Sequence, residues 1–110
     1  MAKGKSNEGH IQSVICEYLE AKRHCFFRLN NIPAFNKGES GRITMRKLPK
    51  YTPKGLPDII VIKNGYFIAL EVKDKSPQSK DQKIFEARVK DALGRYHIVR
   101  SIDDVQNVGL

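Results

Sequence analysis

Tryptophan is missing, and cysteine occurs only as Cys16 and Cys25. Two thiols are too few for a disulfide scaffold and are not spaced as zinc ligands, so both read as reduced, buried side chains. No apolar run approaches the ~20 residues of a membrane span. The opening residues, MAKGKSN, lack the apolar segment of a signal peptide, which makes the cytoplasm the expected location. Internal repeats, low-complexity tracts, a phosphate-binding glycine loop and a dinucleotide fingerprint are all absent. His10, His24 and His97 do not form a metal-ligand spacing, and no Ser/His/Asp or Cys/His arrangement suggests nucleophilic catalysis. Acids are also scarce: 12 Asp and Glu face 20 Lys and Arg, for a formal charge of +8. That balance suits a polyanionic partner, since cationic side chains release counterions when they neutralise phosphates. Taken alone, it is equally compatible with a soluble protein that happens to be basic.

What is present fits one domain over residues 1–110, long enough to bury a single core. After a polar basic leader (1–7), Ile11, Val14, Ile15, Tyr18 and Leu19 recur at helical spacing and predict a helix from about Glu8 to Lys22. HCFFRL reads as a short strand. Residues 31–54 then bring prolines, glycines and many cations with little periodicity, and read as a long basic loop with a strand turn at GRITM. Asp58 to Lys63 and Tyr66 to Lys73 predict a hairpin about Asn64-Gly65, a pair that accepts positive φ. Ile84, Phe85, Ala87 and Ala92 suggest a helix from Ser79 to Leu93, stopped by Gly94. RYHIVR supplies another strand, and Ser101 with Asp104 resembles a capping box opening a final short helix. The order implies an α/β fold, a mixed β-sheet flanked by helices.

The hairpin carries charges at its ends that strand stability does not call for. Side chains alternate along a strand, so Glu71 and Lys73 share a face. A two-residue turn pairs Lys63 with Tyr66, and that register sets Asp58 opposite Glu71. Facing carboxylates repel unless a cation joins them. Mg²⁺ prefers carboxylate oxygens, keeps several waters and commonly bridges a protein to a phosphate. The Val72 carbonyl, between Glu71 and Lys73, is a further oxygen within that arrangement. The plainer alternative has Asp58 capping a strand after Pro57, with Glu71 and Lys73 as a solvated edge pair.

GLPD, a hairpin and ALEVK together resemble the PD-(D/E)XK nuclease motif, in particular that of the VRR-NUC family of virus-type replication-repair nucleases. The likeness extends to EGHIQSVICEYL, to SKDQKIFEARVKDALG and to YHIVRSIDDV, nearly the whole chain apart from the leader and the long loop. The spacer between Asp58 and Glu71 is short but suits a tight hairpin. The resemblance implies a restriction-endonuclease-like core and Mg²⁺- or Mn²⁺-dependent cleavage of DNA in a bacterial or phage-infected cell. It further implies action on branched DNA such as Holliday junctions, as a homodimer. Carried over by position, Asp58 and Glu71 would hold the metal, Lys73 would serve the attacking water, Glu8 would be the first-helix acid near the metal and Gln82 would complete the site. Glu8 equally suits a first-turn acid complementing its helix dipole.

Lys37, Arg42, Arg46, Lys47, Lys50 and Lys54 lead into Asp58 and are the expected DNA-backbone contacts. Tyr51 and Phe35 interrupt these charges, placed either to stack on an unpaired base or to anchor the loop. No recognition module is left over in so short a chain, which favours structure-selective over sequence-specific cutting. A junction resolvase is the main expectation. A flap or nicking nuclease and a non-catalytic DNA-binding protein on the same fold are the alternatives.

Overall fold

The computed structural model describes residues 7–29, 35–37, 43–45 and 49–110, with the backbone course only at 35–37 and 43–45. Chain order is α1 (Glu8–Ala21), β1 (Cys25–Arg28), β2 (Phe35–Lys37), β3 (Ile43–Met45), β4 (Ile59–Lys63), β5 (Tyr66–Val72), α2 (Lys80–Asp91), β6 (Arg95–Val99) and α3 (Ile102–Asn107). Strands β1, β4, β5 and β6 form one sheet in that spatial order, antiparallel except for the parallel β5–β6 pair. The basic segment contains the antiparallel pair β2–β3, of which the sequence showed only the second strand.

The hairpin forms in the expected register, with Lys63 opposite Tyr66 and Ile59 opposite Leu70. Asn64 and Gly65 both take positive φ, 53° and 81°, which matches the right-handed twist of the flanking strands. Side-chain alternation then divides the sheet. Ile59, Val61, Ile68, Leu70 and Val72 meet Ile15 and Leu19 of α1 and Val105 of α3, closing the larger core. Ile60, Ala69 and Tyr96 meet Val89 of α2 in a smaller one. Burying the larger set removes several branched side chains from water, each worth about 1.5–3 kcal/mol.

Three helix ends share one geometry. At α1, α2 and α3 the amides of His24, Gly94 and Leu110 reach back to the carbonyls of Leu19, Val89 and Val105, and the residue before each is left-handed. Those residues are Arg23, Leu93 and Gly109. Helix α2 is therefore reversed at Leu93 rather than at Gly94. Gly94 is small for another reason: a Cβ there would lie 2.8 Å from a Val89 methyl carbon. The apolar stripe expected on α2 also differs, because Ile84, Ala87 and Ala92 are exposed, while Val89 is buried and Phe85 half-buried. Cys25 is exposed on edge strand β1, contrary to the buried thiol expected, because its partner Ile62 lies on the thinly covered face. Among the described residues no helix is long and apolar enough to cross a membrane.

Candidate active site

Asp58 is fixed from three directions. Its amide donates to the Leu70 carbonyl at 3.1 Å, its carbonyl accepts from the Leu29 amide at 2.8 Å, and its Oδ2 accepts from the Val72 amide at 2.8 Å. The buried ring of Pro57 precedes it. Continuing the hairpin register by one pair beyond Ile59 and Leu70 sets Asp58 beside Glu71, as the sequence implied.

Glu71, on the α2 face of β5, is only 2% exposed. Its Oε2 accepts from Gln82 Nε2 at 2.8 Å and lies 3.8 Å from Lys73 Nζ. Its Oε1 is buried with no hydrogen-bond donor among the described residues. Burial pushes Glu71 up to about 8, the charge and side-chain contact of Asp58 push the same way, and the Lys73 ammonium opposes them. Glu71 is thus poised to keep a proton or to exchange it for a cation. Lys73 is itself 7% exposed, and its amide donates to the Val99 carbonyl at 3.1 Å, so the strand end bearing both charges is fastened to β6.

Gln82 acts on two partners at once. At the third position of α2, its side-chain oxygen accepts from the Ser79 amide at 2.8 Å, while Ser79 Oγ accepts from the Gln82 amide at 3.2 Å. This capping box orients the amide nitrogen that holds Glu71. Gly55 sets the same turn from the other side. With φ of +74°, it packs so closely that a Cβ would lie 2.4–2.6 Å from backbone atoms of Asp81 and Gln82. The segment entering Asp58 is therefore seated on the helix turn that positions Glu71.

Glu8 lies at the flank. Its Oε2 accepts from Ser76 Oγ at 2.9 Å and from the Asp74 amide at 3.4 Å, while the Asn7 amide donates to Asp74 Oδ2 at 3.1 Å. The first turn of α1 is thereby tied to the turn following Lys73, and the Glu8 charge is felt at Glu71. Gln12, one turn further on, accepts from Arg28 Nε at 2.8 Å.

The residues present suit a hard divalent cation. Two adjacent carboxylates, one with a buried oxygen that no donor satisfies, are the kind of oxygen set Mg²⁺ or Mn²⁺ takes while keeping waters. Among the described residues no group of three or more His, Cys, Asp and Glu side chains could hold a metal, so the remaining ligands would be water, substrate phosphate and backbone oxygen. Val72, between Glu71 and Lys73 in sequence, turns its side chain into the opposite core, where it is fully buried.

Of the candidate residues, the structure gathers Asp58, Glu71, Lys73 and Gln82, and brings Glu8 alongside. Lys50 and Lys54 are exposed on the stretch entering Asp58. Arg42, Arg46 and Lys47 lie outside the described residues, as do the side chains of Lys37 and Phe35. The sequence reading missed Ser79, Gly55, Asp74 and Ser76. The Ser-x-x-Gln spacing of a capping box was there to be read, and Gly55 stood within GLPD. Ser76 and Asp74 carried no signal, since their partners Glu8 and Asn7, at the start of α1, are more than 60 residues away.

One solved structure, described as a VRR_NUC domain, is similar over 94% of this chain and 95% of its own length, with 22% identity and a TM-score of 0.62. The mixed sheet with flanking helices expected from the sequence is thus the fold of this chain, shared with that domain. No protein-family model matches the chain, and neither does any curated protein.

Proposed function

We propose that this protein is a VRR-NUC endonuclease that hydrolyses DNA phosphodiesters with Mg²⁺ or Mn²⁺ at Asp58 and Glu71. The observation that carries this reading is the buried Glu71 oxygen without a donor, set beside Asp58 and Lys73 at one strand end. A purely structural sheet gains nothing from such an arrangement. The likeness to the VRR_NUC domain supports it.

In this mechanism Asp58 and Glu71 would hold the cation, with the Val72 carbonyl as a further oxygen of the same edge and Glu8 acting on it through water. Bound there, a divalent cation lowers the pKa of water and stabilises charge developing on the phosphate. The Val72 amide fixes Asp58 Oδ2 and Gln82 fixes Glu71 Oε2, so neither carboxylate must reorganise during reaction. Lys73, 3.8 Å from Glu71, orients the attacking water and offsets negative charge near it. Lys50 and Lys54, with Lys37, Arg42, Arg46 and Lys47 of the same segment, bind backbone phosphates flanking the cut without reading sequence. The preferred substrate is a four-way junction cut in pairs by a homodimer, because two-fold symmetry matches paired incisions.

The test is cleavage of labelled four-way junction, flap, nicked and linear duplex DNA with Mg²⁺, Mn²⁺ or EDTA, alongside Asp58→Ala and Lys73→Ala. Paired symmetric cuts in the junction, lost with EDTA and with either substitution, are expected. Preferential cutting of flaps or nicked DNA would replace the junction as substrate. Binding without cleavage under every metal condition would overturn the enzymatic reading.

A further inference from the structure

Tyr51 is the most exposed large apolar side chain among the described residues, at 89%, and its φ is +69°. Neither feature serves packing. A bulky side chain in the left-handed region is disfavoured, and a ring that anchored its own loop would be covered. One local hydrogen bond and one close backbone approach nevertheless hold the backbone on either side of it. The Thr52 amide closes a turn onto the Pro49 carbonyl at 3.1 Å, and four residues beyond Tyr51 the chain is seated at Gly55 against the first turn of α2. The Lys50 ammonium lies over one face of the ring, 5.1 Å from its centroid. The ring therefore stands clear of the protein on a fixed base, seven residues before Asp58, with a cation on one side and its remaining surface in water.

We infer that Tyr51 is a stacking platform for an unpaired nucleobase of the DNA substrate, and so a determinant of selectivity for branched over fully paired DNA. An exposed aromatic beside a cation is what single-stranded recognition requires, because every base offers a π-face while the ammonium meets the adjoining phosphate. A paired duplex keeps its bases stacked on one another and offers the ring nothing comparable. Base pairs next to a branch open more readily, so the ring gains a partner there. The inference takes DNA as ligand from the nuclease reading, but its test needs no cleavage.

The experiment measures binding in EDTA to oligonucleotides carrying 2-aminopurine at an unpaired branch position, with a fully paired duplex of the same length as control. Wild-type protein and the Tyr51→Ala and Tyr51→Phe variants are compared. Stacking quenches the probe in the wild type and in Tyr51→Phe. Tyr51→Ala loses the quenching, and its ratio of branched to duplex affinity falls about five- to 150-fold, the range of one base stack. Unchanged quenching and ratio in Tyr51→Ala, or equal losses on branched and duplex DNA, would overturn the inference. If quenching depends on Tyr51 while no metal supports cleavage, the nuclease reading falls and the platform stands. If cleavage occurs but quenching is the same in Tyr51→Ala, only the platform falls.

Discussion

Successive residues of β5 enter two unlike environments. Ile68, Leu70 and Val72 join a continuous apolar core beneath α1 and α3. Ala69 and Glu71 face α2, where the core is small and Ile62, Phe67 and Ile84 remain 40–52% exposed. One face is closed by two helices and holds the fold. The other is covered by one helix along a narrow seam and gives an almost fully buried position to a carboxyl group. A hydrophobic residue in place of Glu71 would satisfy the α2 face better, since a buried carboxyl group with one oxygen lacking a donor contributes less than the packing it displaces. The well-packed face holds the fold firmly enough for its neighbour to seat a carboxyl group at a cost in stability.

That division makes opposite demands on activity and stability at the site. Lys73→Ala is expected to lower cleavage by about 10²- to 10⁴-fold. Glu71→Gln should abolish metal-dependent cleavage yet unfold at a higher temperature than the wild type at pH 8, because the amide keeps the Gln82 contact without the ionisable group. Steady-state cleavage and thermal unfolding on the same samples check both, and an unstable Glu71→Gln would show that the carboxyl is structural. Leu70→Ala set against Ile62→Ala measures the packing contrast between the two faces. Leu70→Ala should cost about 2–5 kcal/mol in urea unfolding, as full cavities do. Ile62→Ala should cost less than about 1.5 kcal/mol, since its side chain keeps substantial access to water.

The pH dependence follows from Glu71. Below about 4.5 folded and unfolded chains both carry its proton, and between 4.5 and about 8 the unfolded chain releases it while the native state retains it. Stability from this group is therefore greatest at the acid end of that window and falls as pH rises. The slope is at most about 1.4 kcal/mol per pH unit. Glu71→Gln should remove this component, which denaturation curves at several pH values would reveal. The smallest effect lies away from both faces, at Leu93, an exposed residue forced to φ 67° by the end of α2. Leu93→Gly should stabilise by about 0.5–1 kcal/mol through relief of that conformation, and a lower midpoint would contradict the assignment of strain there.

The elements bearing local periodicity were legible in the sequence. The hairpin followed from Asn64-Gly65 and alternation, and its register alone placed Asp58 beside Glu71. Helix α1 was readable from Ile11, Ile15 and Leu19 because the larger core lies on the face that their periodicity marks. Helix α2 was found but its buried stripe was not, since Ile84 and Ala87 are apolar without being covered. Burial depends on what lies opposite, which periodicity does not record. The same limit explains why Gly55 against Gln82, and Glu8 against Ser76, emerged only from the fold. Strand β2 is three residues long, too short for alternation to be distinguished from chance.

Whether Asp58 and Glu71 form a divalent-cation site, as proposed, is decided by calorimetric titration of Mn²⁺ into wild-type protein and Glu71→Gln at pH 7, without DNA. Binding by the wild type with proton release, visible as a heat that changes with the ionisation enthalpy of the buffer, and absent from Glu71→Gln, is the predicted result. Equal binding by the two proteins, or none by the wild type, would contradict it.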